Sequence, residues 1–379
     1  MTTDANASLD FETMIVGGGV VGLACAAYLA RMGQQVLLIE KHLHFGSETS
    51  SRNSGVIHAG LYYRTGSLKA RLCRRGQALL YARCERDGVS YKRCGKLVVA
   101  DSDAEIEALQ RLYDQAHENG ATEVRLLSPE DFKVLEPQVR GAMALWSPAT
   151  GIVDAHALMD SYRREAEAHG AILLLGHSLV AAESDGEGWS VTLRDERAME
   201  SLVVRTTHLV NAGGLWAFSV AETCGVAPRA LGLRQHYCKG DYFRLAGHLR
   251  GLVTRLIYPM PVAAGLGVHL TMDLAGDLNA GPDTEYVDKP SYEVDAAKGQ
   301  RFARAVQRYL PAVGDLDLTP NYAGVRPKLQ GPGESAADFV LHVHHGVGRA
   351  RQVHMFGIES PGLTASEALA EEVNQLLVD

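Results

Sequence analysis

Met14-Ile15-Val16-Gly17-Gly18-Gly19-Val20-Val21-Gly22, followed by Leu37-Leu38-Ile39-Glu40, restricts the fold of this chain more than any other stretch. It reads as a strand, a glycine turn, a helix, a second strand and an acid. Gly17, Gly19 and Gly22 fit G-x-G-x-x-G. The first allows a sharp turn off the strand, the second brings the backbone close to a pyrophosphate, and the third lets the helix sit close on the sheet. A helix N-terminus offers free N–H groups and the positive end of its dipole to phosphates. Val20 and Val21 open that helix, and the alanine-rich run from Leu23 to Ala30 continues it. Glu40, followed by Lys41, ends the second strand, where an acid holds a ribose hydroxyl. The pattern implies a dinucleotide-binding βαβ unit.

A chain of 379 residues is too long for one compact core, so two domains are expected. The net charge of −8 argues against a nucleic-acid partner. Cys25, Cys73, Cys84, Cys94, Cys224 and Cys238 are scattered without a C-x-x-C pair, which suits a reducing compartment. No apolar run is long enough to span a membrane, and MTTDANASLDFE lacks the features of a signal peptide. A cytoplasmic location is therefore expected, with peripheral membrane association left open.

Residues 1–10 read as a disordered tail. Helical spacing is expected over Leu68–Asp87, from an Asp cap over Asp103–Asn119, after Ser128-Pro129, and over 155–169, 215–224, 292–310 and 363–377. Residues 180–183, 188–193 and 202–207 suggest a small β-meander, and 208–214 a second strand with a glycine turn. The order is nucleotide-binding start, β-rich middle, and returns to strand-turn-helix at 208–224 and 352–377. This implies interleaved domains: 11–90, 151–225 and 321–379 for the cofactor, 91–150 and 226–320 for the substrate. The fold class is α/β (α+β overall), a Rossmann-like domain with a substrate domain built on a mostly antiparallel sheet.

Further segments are spread along nearly the whole chain. They include Asn53-Ser54-Gly55-Val56-Ile57-His58-Ala59-Gly60-Leu61-Tyr62-Tyr63, Cys94-Gly95-Lys96-Leu97-Val98, Thr150-Gly151-Ile152-Val153-Asp154, Asn211-Ala212-Gly213-Gly214 and Lys239-Gly240-Asp241-Tyr242. Tyr258-Pro259, Gly267-Val268-His269-Leu270-Thr271, Gly324-Val325-Arg326-Pro327 and Gly-Ile-Glu-Ser-Pro-Gly-Leu-Thr-Ala-Ser at 357–366 complete the set. In this order they resemble the D-amino-acid-oxidase-like superfamily of FAD-dependent oxidoreductases, most nearly its L-2-hydroxyglutarate dehydrogenase/oxidase family. The segment at Ala263, Gly265 and Gly267 is shorter than that family's loop, and the His and Arg density over 342–354 is unusual.

The resemblance implies a noncovalent FAD. Ser51, Arg52, Asn53 and Ser54 would close over its phosphates, and Val180 falls at the strand whose backbone would meet adenine. Ala212, Gly213 and Trp216 would form the second flavin turn. Ser360, Pro361, Gly362, Leu363 and Thr364 would open a helix toward the flavin, whose reduced form carries negative charge. Oxidation of a 2-hydroxy acid needs a base for the hydroxyl proton and a cation for the carboxylate. His58 and His269 are the candidate bases, since imidazole titrates near neutral pH. Arg326 is the candidate carboxylate clamp at the flavin edge. Lys239 or Lys328 would meet a second anionic group, and Tyr62, Tyr242 and Tyr258 would line the pocket.

His342, His344, His345 and His354 complete no metal-ligand spacing, and no metal is expected. The expected reaction is oxidation of L-2-hydroxyglutarate to 2-oxoglutarate by hydride transfer to flavin N5. The alternatives are glycerol 3-phosphate or an amino or imino acid as substrate, and a flavin-binding protein without catalysis. Oxygen, a quinone and another protein all stand as electron acceptors.

Overall fold

The first strand, Phe11–Val16, and the second, Val36–Glu40, are nearly continuous apolar runs because helices or further chain cover both their faces. In this computed structural model, residues 10–260 and 267–378 are described. The expected N-terminal tail up to residue 9 and the short segment at Ala263 and Gly265 lie outside them. The first two strands pair in parallel, Ile15 beside Leu38, and Phe11–Val16 pairs on its other edge with Ser201–Asn211, Ile15 beside Val210. Ile172–Leu175 and Arg351–Phe356 extend this parallel array at its two sides, and Val340–His345 closes one edge antiparallel. Val20–Arg31, whose alanines permit close approach, packs with Ala155–Ala168 and Ser366–Val378 as a helical layer.

Residues 201–211 were expected as two strands and form one. Its first half pairs antiparallel with Trp189–Asp195, and its second half runs in the parallel sheet. The change from exposed to buried residues near Thr206 marks the transition.

The second sheet has nine strands among the described residues and is antiparallel except where Lys96–Ala100 runs parallel to Leu256–Pro259. Helices Asp103–Glu118, Pro129–Leu135 and Gly299–Gln307 pack on it. Leu318–Lys328 pairs along His236–Leu245, Arg326 beside Cys238. Residues 321–328 therefore belong to the substrate sheet and not to the cofactor domain, a correction to the expected boundary at 321. Their partner strand, not their position in the chain, decides the assignment.

Local chemistry sets the helix ends. Ser67 accepts a hydrogen bond from the Ala70 N–H, and Gly88 ends the Leu68–Asp87 helix in the left-handed region. Ser102, rather than Asp103, caps the next helix. Asp295 accepts from the Ala297 N–H, so the helix expected from residue 292 is confined to 299–307 after one 3₁₀ turn. The last helix starts at Ser366, later than the expected residue 363, because 360–365 form a turn.

Candidate active site

A cleft of roughly 410 Å³, the scale of small-molecule sites, opens between the two sheets. At one end Gly17 adopts φ +112°, and a Cβ there would stand 2.5 Å from the Ala212 carbonyl oxygen. Only glycine lets these two turns cross. Gly18 N–H and His42 N–H each donate to one Glu40 carboxylate oxygen at 2.8 Å. Glu40 is thereby aimed into the cleft with lone pairs to spare. Gly19, as N-cap, offers no side chain to its helix, and Gly19, Val20 and Val21 line the cleft. Gly22 lies behind them, against the Gly17 carbonyl and Ala212.

Two cofactor candidates are misplaced by the sequence. Ser51 turns its hydroxyl to the Gly46 carbonyl, and it is Ser50 that lines the cleft and accepts from Val20 N–H at 3.0 Å. The intervening 3₁₀ turn, Thr49–Ser51, shifts the facing residue by one. Val180 is 48% exposed at a bulge in His177–Ser184, whereas His177, Ser178 and Leu179 line the cleft. The extra residue of a bulge points away from its neighbours' face.

Lys41, Arg52, Asn53, Ser54, Ala212, Gly213 and Trp216 all line the cleft. The Trp216 indole N–H donates to Glu48, the Lys41 ammonium lies 3.8 Å from the Trp216 ring centroid, and Lys41 and His42 reach Glu48 at 3.2 and 2.8 Å. Burial alone would raise the Glu48 carboxyl, but bonds from His42, Trp216 and Lys41 hold it below the usual range. Arg52 stacks 4.2 Å over the Tyr292 ring, and its buried Nε has no hydrogen-bond partner.

The other end carries the reactive groups. His58 Nε2 lies 3.2 Å from the Ser360 hydroxyl, and the His58 N–H donates to Thr364 Oγ1, which itself donates to the Val56 carbonyl. Thr364 thus positions His58 from behind, while Ser360, Pro361, Gly362 and Leu363 line the cleft. Burial, and secondarily the nearby Lys96 charge, pushes the His58 imidazole down to about 3, so it is neutral at physiological pH. His269 lines the same end and stacks on Tyr258 with ring centroids 3.5 Å apart. Arg326 spends Nε and Nη2 on the carbonyls of Cys238, Lys239 and Asp283, which fixes its guanidinium at the cleft wall. Tyr242 lines the cleft and stacks on Tyr322 at 4.4 Å.

Three substrate candidates do not reach the cleft lining. Lys239 pairs with buried Asp241 at 3.1 Å, on the face of its strand opposite Gly240 and Tyr242. Lys328 pairs with Glu359 at 2.9 Å, and Tyr62 packs its ring against Lys96. Glu359 is a cleft residue that the motif reading passed over, although it sits inside the quoted 357–366 turn. Burial opposes its charge, but Lys69, Lys328 and Arg326 outweigh burial and hold its carboxyl at about 2.

The chain matches the family model described as FAD dependent oxidoreductase over residues 12–376. This chain belongs to that family. The oxidoreductase is 36% identical to an Arabidopsis thaliana protein named "L-2-hydroxyglutarate dehydrogenase, mitochondrial", over 96% of this chain and 82% of that one. It is 33% identical to the Homo sapiens protein of the same name, over 96% and 89%. Its fold superimposes on L-alpha-glycerophosphate oxidase from Mycoplasma pneumoniae with FAD bound at a TM-score of 0.86, with 24% identity, 97% of this chain and 94% of that one covered. It also superimposes on L-proline dehydrogenase from P. horikoshii at 0.82, with 19% identity, 98% and 94% covered. The cofactor of the oxidoreductase is FAD. The uncapped helix start at Gly19, the cradle that a Cβ at Gly17 would fill and the oriented Glu40 carboxylate all fit its ADP half.

Proposed function

We propose that this oxidoreductase oxidises a 2-hydroxy dicarboxylate, L-2-hydroxyglutarate, to 2-oxoglutarate. The carrying observation is that one end of the cleft holds a neutral imidazole, His58, together with a fixed guanidinium, Arg326. The substrate named for the relatives with about a third of their residues identical supports the choice of acid.

Gly17, Gly19, Val20, Val21 and Glu40 would hold the ADP half of FAD, and Ser360 to Leu363 would meet its flavin end. FAD supplies the two-electron acceptor that the protein's own side chains lack. Arg326 takes the carboxylate beside the hydroxyl through its remaining N–H groups. That contact orients the substrate so that its hydroxyl meets an imidazole nitrogen. His58 accepts the hydroxyl proton while Ser360 bonds its ring and Thr364 fixes its backbone. Burial disfavours the imidazolium, and the anionic substrate beside it offsets that cost. His269, stacked on Tyr258, shapes the wall.

Anaerobic mixing of the yellow protein with single acids tests the reading. L-2-hydroxyglutarate should bleach the flavin, and glycerol 3-phosphate and amino acids should not. A flavin that keeps its colour with L-2-hydroxyglutarate would overturn the proposal.

A further inference from the structure

Residues 49–54, which line the cleft on the cofactor side, lead through the short strand Val56–Ile57 to His58. Leu318–Lys328 carries Arg326. These two segments lie far apart in the chain, yet they are tied to each other twice. The Tyr322 hydroxyl donates to the Asn53 carbonyl at 2.9 Å, and the Thr49 hydroxyl donates to the Val325 carbonyl at 3.0 Å. Between the ties a Cβ at Gly324 would collide with the Arg52 carbonyl, so the two backbones run in contact. The aim of Tyr322 is built into its strand. Asp241 pairs with Ala323 and Phe243 with Pro320, so Asn321 and Tyr322 together oppose Tyr242. A bulge of this kind re-aims a side chain. The Tyr322 ring stacks on that of cleft-lining Tyr242, with centroids 4.4 Å apart and planes at 18°. On the loop side, Asn53 Nδ2 donates to the Ser50 carbonyl at 2.7 Å, and Asn53 Oδ1 accepts from the Gly55 N–H at 2.8 Å. Ser50 in turn accepts from the Val20 N–H. Asn53 is thus the staple of the loop, and a shift of its carbonyl shifts the loop from Ser50 to Gly55.

We propose that Tyr322 and Thr49 are positioning residues that hold the cofactor loop in register with the strand of Arg326, and so set the distance between flavin and substrate. The assignment rests on the reading above, in which Arg326 takes the substrate's carboxylate. Arg326 is fixed by the carbonyls of Cys238, Lys239 and Asp283, none of them on the loop. The substrate's place therefore belongs to the strand and the cofactor's place to the loop, and the two hydroxyl bonds join them. Transfer between two held groups depends steeply on their separation, and a misplacement of about 1 Å costs about a hundredfold in rate.

Tyr322→Phe and Thr49→Val each remove one hydroxyl bond and keep the packing. The FAD-loaded proteins are mixed anaerobically with saturating L-2-hydroxyglutarate, and 2-oxoglutarate is titrated into the oxidised forms and read from flavin absorbance. Each variant should slow flavin reduction about three- to tenfold, the scale of one hydrogen bond, and the double variant about a hundredfold. The dissociation constant for 2-oxoglutarate and the FAD content should stay within about twofold, because the clamp and the glycine turn are untouched. The flavin difference spectrum at saturating 2-oxoglutarate should change shape in the double variant, since the ring then sits differently against the ligand. Bonds that only hold the interface would lower the thermal midpoint or the FAD content and leave the limiting rate and the difference spectrum alone, and that result overturns the proposal. A loss of 2-oxoglutarate affinity as large as the loss of rate also overturns it, for the ties would then shape the binding site itself. A wild type that L-2-hydroxyglutarate does not reduce overturns the substrate reading alone, and the difference spectra then decide the role of the ties. A wild-type flavin unmoved by either acid overturns both.

Discussion

His58 takes its orientation from residues more than 300 positions away, through Ser360 and Thr364. Its role separates from that of His269 by kinetics. His58→Gln should slow flavin reduction by the 10²- to 10⁴-fold typical of a lost general base, with FAD still bound. His269→Gln should cost less than about tenfold, as a wall residue would. Rapid-mixing absorbance at saturating substrate checks both, and the reverse ranking would transfer the base to His269. Lys96 yields a stability prediction with a definite sign. Its folded pKa is lowered to about 7 from an unfolded value near 10.4. Between these values the unfolded chain binds more protons, so stability rises with pH, and the burial cost is fully present below 7. Lys96→Met should therefore raise the thermal midpoint at pH 6 and change it little above about pH 10, measured by calorimetry on the substrate-free protein. At this scale the sequence was legible where the chemistry is local. Gly17, Glu40, His58 and Arg326 all line the cleft. Lys239 was misread because residues 239 and 241 share the face opposite 240 and 242, and only strand pairing shows which face meets the cleft.

At the scale of elements, the glycine turn and the turn at 211–214 form one device, since Gly17 and Ala212 touch across it. Gly17→Ala combines an unfavourable φ with a backbone collision, together costing about 1–3 kcal/mol. The purified variant should carry less than about a tenth of the wild-type FAD, by the ratio of flavin to protein absorbance. A full complement would mean that the crossing yields without harm to the site. Gly76 does the same for the last turn, for a Cβ there would collide with the Thr364 carbonyl that the Leu68–Asp87 helix crosses. The Leu68–Asp87 helix was legible from its spacing, and Ser67 and Gly88 set its ends. Val180 and Ser51 were not, because a bulge and a 3₁₀ turn each displace the facing residue without a mark in the local pattern. The single strand 201–211 was hidden because its two halves have different partners.

Across the whole molecule, Arg83 is buried and ion-paired with Asp87, Glu165 and Glu367 at 3.1, 2.6 and 2.9 Å. It joins the Leu68–Asp87, Ala155–Ala168 and Ser366–Val378 helices, which come from three separate parts of the chain. Arg83→Met would leave Glu367 buried without its main cation and should cost about 3–5 kcal/mol, seen as a lower urea midpoint. An unchanged midpoint would show that the three helices hold by apolar packing alone. The two sheets draw their strands from alternating parts of the chain. The sheet that residues 321–328 join was not legible in the sequence, because it depends on pairing with residues 236–245 across the fold.

The same Arg83 cluster bears on the order in which the protein is made. Glu367, the 357–364 turn that seats His58, and Ser366, bonded to Tyr162 at 3.0 Å, leave a ribosome after the strands of both sheets. The glycine turn and the 211–214 turn that crosses it are both in place well before them. A growing chain therefore has a place for the nucleotide before it has a floor for the flavin, and its reactive end is sealed only once residues 357–367 have joined it.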